Sequence, residues 1–214
     1  MKDIRLIRKR IVADKCKTLL ECKNGENWLD LFEIKAGEWK LENGYLVGKE
    51  NGNKGGILYT KEVFDKPVMI SFTASSVLPA TRDVNAVFCA NWDDEVNDLG
   101  DSYVCGVGGW YDNKAGLERN IKGNKLAFRS ITGAYKYTPG EEVRLSCGAI
   151  NGHLFMTIND ELVAEYIEYG DDFLTSGHIG FSPFCTILKI KDIEVKEIYF
   201  EEIDDYYLPE FETK

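Results

Sequence analysis

Between Tyr103 and Asn120 the chain crowds together residues that could hold a polyol. Gly106-Val107-Gly108-Gly109 leads into Trp110-Tyr111-Asp112-Asn113, and Gly116-Leu117-Glu118-Arg119-Asn120 follows. The C–H faces of a sugar ring stack on aromatic planes. Its hydroxyls need donors and acceptors, which amides, carboxylates and a guanidinium supply. Trp110 beside Asp112 and Asn113 offers both functions, and Gly108 and Gly109 permit close approach of a ligand or another backbone. A second reading makes Trp110 a cap on a sheet edge above a tight turn. If Leu117 to Asn120 is a strand, Glu118 and Asn120 share one face and Arg119 takes the other. Arg119 could then clamp a uronate carboxylate, and Glu118 could act as a general acid or base if burial raised its pKa. An ordinary surface ion pair is the alternative.

Other candidates lie outside that stretch. Asn91-Trp92-Asp93-Asp94-Glu95, with Asp98 and Asp101, gathers oxygens of the kind calcium takes, but the spacing matches no EF-hand loop and a solvated acidic loop is the simpler reading. Trp92 could still wall a sugar cleft. Arg82 falls in a polar connector. His153 opens a hairpin strand and reads as a surface residue, and His178 lies in a strand bordering the concave sheet; a lone strand histidine is more often structural than catalytic.

Composition and missing motifs narrow the chemistry. With a formal charge of -10, the 214-residue chain repels phosphate backbones and anionic lipid, so neither nucleic acid nor membrane is an expected partner. No Gly-x-Ser-x-Gly elbow, P-loop or His-Glu-x-x-His element occurs, and two histidines preclude a His-rich metal centre. The glycines at 106–109 precede no helix, which argues against a dinucleotide fingerprint. No metal or other cofactor is expected. The six cysteines, Cys16, Cys22, Cys89, Cys105, Cys147 and Cys185, show no Cys-x-x-Cys pair, and four of them sit in apolar strand-like runs. Lys2, Arg5, Arg8, Lys9 and Arg10 precede no apolar run resembling a secretory leader. Free thiols and a cytoplasmic location are therefore expected.

The elements that must position these residues read as strands. Val68, Ile70, Phe72 and Ala74 alternate with Met69, Ser71 and Thr73; Ala86, Phe88, Ala90 and Trp92 form a second row; Val143, Leu145, Cys147 and Ala149 a third; Leu154, Met156 and Ile158 a fourth. Asn43-Gly44 and Asn151-Gly152 each stand between two such runs and predict two-residue hairpins. Gly177–Phe181 and Ile187–Val195 read as a last strand pair. Helical signals are confined to Asp14–Leu20 and Tyr166–Phe173. Turn signals at short, regular spacing and 44% hydrophobic residues predict one all-β sandwich domain over residues 1–214, with 201–214 an acidic aromatic tail that packs on the body or a neighbour.

These patterns resemble a known superfamily. Trp39…Asn43-Gly44-Tyr45-Leu46, Gly55-Gly56-Ile57-Leu58-Tyr59, Gly108-Gly109-Trp110-x-x-Asn113, Asn151-Gly152…Ile158-Asn159-Asp160 and Gly177-His178-Ile179-Gly180-Phe181 are similar to the concanavalin-A-like lectins and glucanases. Within these, they most resemble the bacterial YesU-type sandwich proteins, which occur beside genes for plant polysaccharide breakdown. The resemblance implies a two-sheet antiparallel jelly roll with its ligand on the concave sheet or its rim loops. The Glu-x-Asp-x-x-Glu strand of the superfamily's glucanases is absent, so their mechanism does not transfer.

The resulting expectation is a carbohydrate-binding protein for oligosaccharides of plant origin, using Trp92, Trp110, Tyr111, Asp112, Asn113, Glu118 and Arg119, with the Trp110 indole open to solvent. Two alternatives stand beside it. One is a glycoside hydrolase or polysaccharide lyase drawing on Glu118, Asp93 and His178. The other is a non-catalytic protein-interaction module. The sequence leaves the oligomeric state open.

Overall fold

The computed structural model describes residues 2–50, 55–111, 113–121 and 125–204. Its strands, in chain order, are β1 (Ile4–Leu6), β2 (Lys9–Ile11), β3 (Lys17–Cys22), β4 (Phe32–Ala36), β5 (Glu38–Glu42), β6 (Tyr45–Lys49), β7 (Ile57–Thr60), β8 (Val68–Ser76), β9 (Val84–Ala90), β10 (Trp92–Asp93), β11 (Asp98–Leu99), β12 (Ser102–Trp110), β13 (Lys114–Ile121), β14 (Lys125–Thr132), β15 (Val143–Ile150), β16 (His153–Ile158), β17 (Glu161–Ile167), β18 (His178–Phe181), β19 (Ile187–Glu197) and β20 (Phe200–Glu202). A seven-stranded sheet runs β14-β13-β12-β9-β18-β7-β4. An eight-stranded sheet runs β17-β16-β15-β8-β19-β6-β5, with β3 also paired to β19. Neighbouring strands are antiparallel throughout both sheets. This is the expected all-β, two-sheet sandwich.

Alternation explains how the sheets stack. The inward rows Ile70, Phe72 and Ala74 of β8 and Leu145 and Cys147 of β15 meet Tyr103, Cys105 and Val107 of β12 and Ala115 and Leu117 of β13 in one buried core. Phe72 and Phe181 cross it edge to face, with ring centroids 5.0 Å apart. The outward residues of the eight-stranded sheet carry Ser71 and Ser146, whose hydroxyls bond at 2.7 Å, and Met69 and Phe155. The small sheet β1-β2-β20 covers the latter pair through Ile4, Leu6 and Ile11.

The Asn-Gly turns form as read. Asn43 and Gly44 (φ 52° and 79°) join β5 to β6, and Asn151 and Gly152 (φ 48° and 79°) join β15 to β16. Both central residues have positive φ, which Asn tolerates and Gly takes freely.

Four expectations need correction. Asp14–Leu20 is helical only at its start: a single 3-10 turn (Ala13–Lys15) ends before β3 begins at Lys17. Tyr166–Phe173 is the end of β17 and an irregular connector, while a one-turn helix, α1 (Trp28–Leu31), went unread. Gly177–Phe181 and Ile187–Val195 do not pair, because β18 joins one sheet and β19 the other. The row Ala86, Phe88, Ala90, Trp92 breaks at Cys89. There a positive φ of 48° and a register shift against β18 turn Ala90 onto the opposite face from Phe88. The tail is described only to Asp204; within it β20 pairs with β2, and Glu201 meets Arg10 and Lys15. Residues 205–214 lie outside the described residues. No helix among the described residues is long and apolar enough to cross a membrane.

Candidate functional site

A groove of about 570 Å³ opens on the outer face of the seven-stranded sheet. Such a volume falls within the range of small-molecule sites, ~300–1,000 Å³. Strand register builds its floor. Glu118 of β13 pairs with Val104 of β12, and Val104 with Val87 of β9; one step along, Gly116 pairs with Gly106 and Gly106 with Asn85. Tyr103, Cys105, Ala86 and Leu117 face the core, so these alternating neighbours face outward.

Trp110 forms one wall. Opposite Ala115 and Lys114, β12 accommodates two extra residues, Gly108 (φ 79°) and Gly109, before Trp110 pairs with Lys114. The indole then lies back over Gly116, where a Cβ would sit 2.4 Å from a ring carbon. Its Nε1–H donates to Glu118 Oε2 at 2.8 Å. Trp110 is therefore 6% exposed and not the open platform expected from the sequence. It remains outside the sandwich core, on the groove side of the sheet. Burial raises the Glu118 pKa, and the indole hydrogen bond offsets part of that rise.

The polar lining is mostly acceptor. Asp83, at φ 61°, precedes β9 and is largely buried. Burial pushes its carboxyl up to about 6; Glu118 and Glu50 act in the same sense, while a hydrogen bond from Asn85 and the charge of Arg82 oppose it. Asn85 Nδ2 donates to Asp83 Oδ1 at 3.4 Å, and Asn85 Oδ1 is buried with no hydrogen-bond partner. Asp98 lies on the β10–β11 hairpin, where one carboxylate oxygen accepts from the Leu99 amide at 2.8 Å. Asn120 Nδ2 donates to the carbonyls of Leu99 and Gly100, both at 2.8 Å, fixing that hairpin on the sheet.

Three aromatic rings edge the groove with accessible faces. Tyr111 (66% exposed) meets Phe128 (48% exposed) at 62° with centroids 5.7 Å apart, and Phe184 (51% exposed) follows β18 on the other side. Solvated rings of this kind beside fixed acceptors are what sugar stacking requires.

The remaining candidates lie elsewhere. Arg119 points away from Glu118, as strand alternation requires, and its guanidinium is held by the backbone carbonyl and carboxylate of Asp172, so it cannot clamp a ligand beside Glu118. Asn113 donates to the Tyr137 carbonyl at 3.3 Å and does not line the groove. Asp112 lies outside the described residues. Asp93 is buried at the start of the hairpin, where one oxygen accepts from the Glu95 amide at 3.0 Å. Trp92 lies 5.5 Å below the Lys35 ammonium, which also sits 5.7 Å from the Tyr59 ring. His178 stacks on Tyr59 at 4.1 Å with Nδ1 2.6 Å from the Thr60 carbonyl. Trp92 and His178 share a cluster through Lys35 and Tyr59, and neither they nor Asp93, which sits opposite Asp98 in the hairpin, line the groove beside Glu118. Sequence reasoning missed Asp83, Asn85, Phe128 and Phe184, and read Asp98 only as part of an acidic loop. The outward parity of Asn85 followed from the inward Ala86 and Phe88; nothing local pointed to Phe128 or Phe184.

No protein-family model and no curated protein matches the sequence. Solved structures do match, at low identity. A Bacillus subtilis protein of unknown function with a galectin-like fold superposes with TM-score 0.64 at 14% identity, covering 85% of this chain and 96% of its own. The carbohydrate-binding module CBM66 from Bacillus subtilis gives 0.62 at 9% identity, covering 77% and 94%. The carbohydrate recognition domain of Emp47p gives 0.60 at 12% identity, covering 86% and 98%. The fold is thus that of lectin-like and galectin-like sandwiches.

Proposed function

We propose that this protein binds an oligosaccharide in the groove on the seven-stranded sheet. The observation that carries the reading is the pairing of exposed aromatic rings, Tyr111, Phe128 and Phe184, with the buried acceptors Asp83 and Asn85 and the half-buried Glu118 around one cavity. Rings supply stacking area and fixed acceptors supply orientation, the division of labour seen in polar small-molecule sites. The sandwich shared with a carbohydrate-binding module and a carbohydrate recognition domain is consistent with this use.

A plant cell-wall origin for the sugar, kinship with YesU-type proteins and residence in a reducing cytoplasm complete the proposal. The first two rest on the glycine-rich sequence patterns, the third on six free thiols. Calorimetric titration with a panel of cell-wall oligosaccharides, with product analysis of the same mixtures, tests the reading. Heat without new products supports a binding protein.

A second reading, hydrolysis of a short glycan, is favoured by one observation: the buried Asp83 and half-buried Glu118 put two carboxyls on one groove, both held toward the protonated form. One could donate a proton to a leaving oxygen while the other acts as base or nucleophile. New reducing ends in the product analysis would select it.

A further inference from the structure

The groove's hydrogen-bonding groups are unbalanced, and the imbalance selects a ligand. Asp83, Asp98 and Glu118 contribute carboxyls, and no described residue lining the groove carries a positive charge. Most of its side-chain N–H donors are engaged within the protein: Trp110 Nε1 to Glu118, one of the two Asn85 Nδ2 hydrogens to Asp83, and Asn120 Nδ2 to the Leu99 and Gly100 carbonyls. The hydroxyls of Tyr111 and Ser182 serve either way. Against these stands Asn85 Oδ1, in a residue only 6% exposed, an acceptor with no donor. A buried acceptor left unpaired is costly, and a ligand that brings a donor recovers that cost.

A neutral sugar hydroxyl brings a donor but also lone pairs that need donors in return. An ammonium brings three donors and no acceptor. A carboxylate or sulfate brings only acceptors and a repelled charge. Among the described residues no three carboxylate, thiol or imidazole groups converge closely enough to hold a metal ion, so the negative charge is spread along the groove instead of focused on a point cation. The chain's net charge of -10 draws cations toward it.

We propose that the groove prefers a cationic amino sugar, a glycan carrying free protonated amines, over neutral and acidic glycans. This rests on the sugar-binding reading above and adds the class of sugar.

The test is calorimetric titration of the full chain, near neutral pH and at low ionic strength, with three tetrasaccharides: β-1,4-linked glucosamine, its fully N-acetylated counterpart, and galacturonate. The glucosamine tetramer is expected to bind roughly tenfold or more tighter than the N-acetylated one, the scale of one charge-assisted hydrogen bond in a partly desolvated site. Added salt should erode that advantage, and Asp83→Asn and Glu118→Gln should each reduce it. The salt series uses the unmodified protein, so it stands even if a variant fails to fold. Equal binding of the first two tetramers, or tightest binding of galacturonate, overturns the charge preference and leaves sugar binding intact. Binding of no glycan, in this series or in the wider panel, overturns both.

Discussion

The Trp110 indole donates to Glu118 Oε2 at 2.8 Å while lying flat over Gly116. One residue thus roofs a glycine of the sheet and fixes the carboxylate of the next outward residue on β13. Orientation of Glu118 is bought with burial of Trp110, so the two cannot be altered independently.

Trp110→Ala should therefore cost stability as well as binding. Loss of a buried Trp typically costs ~3–5 kcal/mol, which denaturant unfolding would register as a lower midpoint. An unchanged midpoint would mean the ring is not packed over Gly116. Gly116→Ala attacks the same contact from below. Its added methyl should displace the indole, red-shift the tryptophan fluorescence and weaken ligand binding.

The exposed rings separate stacking from folding. Phe128→Ala and Phe184→Ala remove side chains that are half solvated, and each should change stability by less than about 1 kcal/mol. An aromatic contact worth ~0.5–1.5 kcal/mol predicts sugar affinity about two- to tenfold weaker in each. Melting curves and calorimetry on the same preparations check both halves of the statement.

Asp83 sets a pH dependence. Burial raises its folded pKa from 3.8 to about 6, so between these values the folded state holds a proton that the unfolded state has lost. Stability should fall as pH rises from about 4 to about 6 and level off above it. A shift of this size corresponds to at most roughly 3 kcal/mol. Asp83→Asn carries no titratable group, so its stability should fall less over that window than the parent's. Glu118 contributes with the same sign, because burial raises its pKa too, and the difference between parent and variant isolates Asp83. Parallel curves would remove Asp83 from the titration.

Much of the scaffold was legible because its signals are local. Alternating rows mark Val68 to Ala74 and Val143 to Ala149, and Asn-Gly pairs can hardly form anything but tight hairpins. Partner choice was not legible: β18 and β19 look like a hairpin in sequence, yet a core between two sheets requires one strand in each. The site was read unevenly for a related reason. Glu118 and Arg119 were separable by parity alone, and Trp110 and Tyr111 announced themselves by type. Trp92 was misplaced because one positive φ at Cys89 resets the alternation, which no residue type signals. Phe128 and Phe184 reach the groove only through pairing of β14 to β13 and the course of the chain after β18, both long-range facts.

The thiols give a compartment test. Cys105 of β12 and Cys147 of β15 are fully buried, and their thiols meet across the core; burial first, and the neighbouring thiol second, hold the Cys105 pKa well above normal. Protein purified without reductant and then denatured should titrate six sulfhydryls. Fewer would indicate an oxidising compartment and contradict the proposed cytoplasmic residence.

The proposed seat of the glycan is the groove between Tyr111, Phe128 and Phe184. Its most direct measurement is calorimetric titration of the cell-wall and amino-sugar oligosaccharides against the parent protein and a Phe128→Ala/Phe184→Ala double variant. Saturable heat is expected with at least one glycan, lost or strongly weakened in a double variant that melts like the parent. Undiminished binding in that variant, or no heat with any glycan, would contradict it.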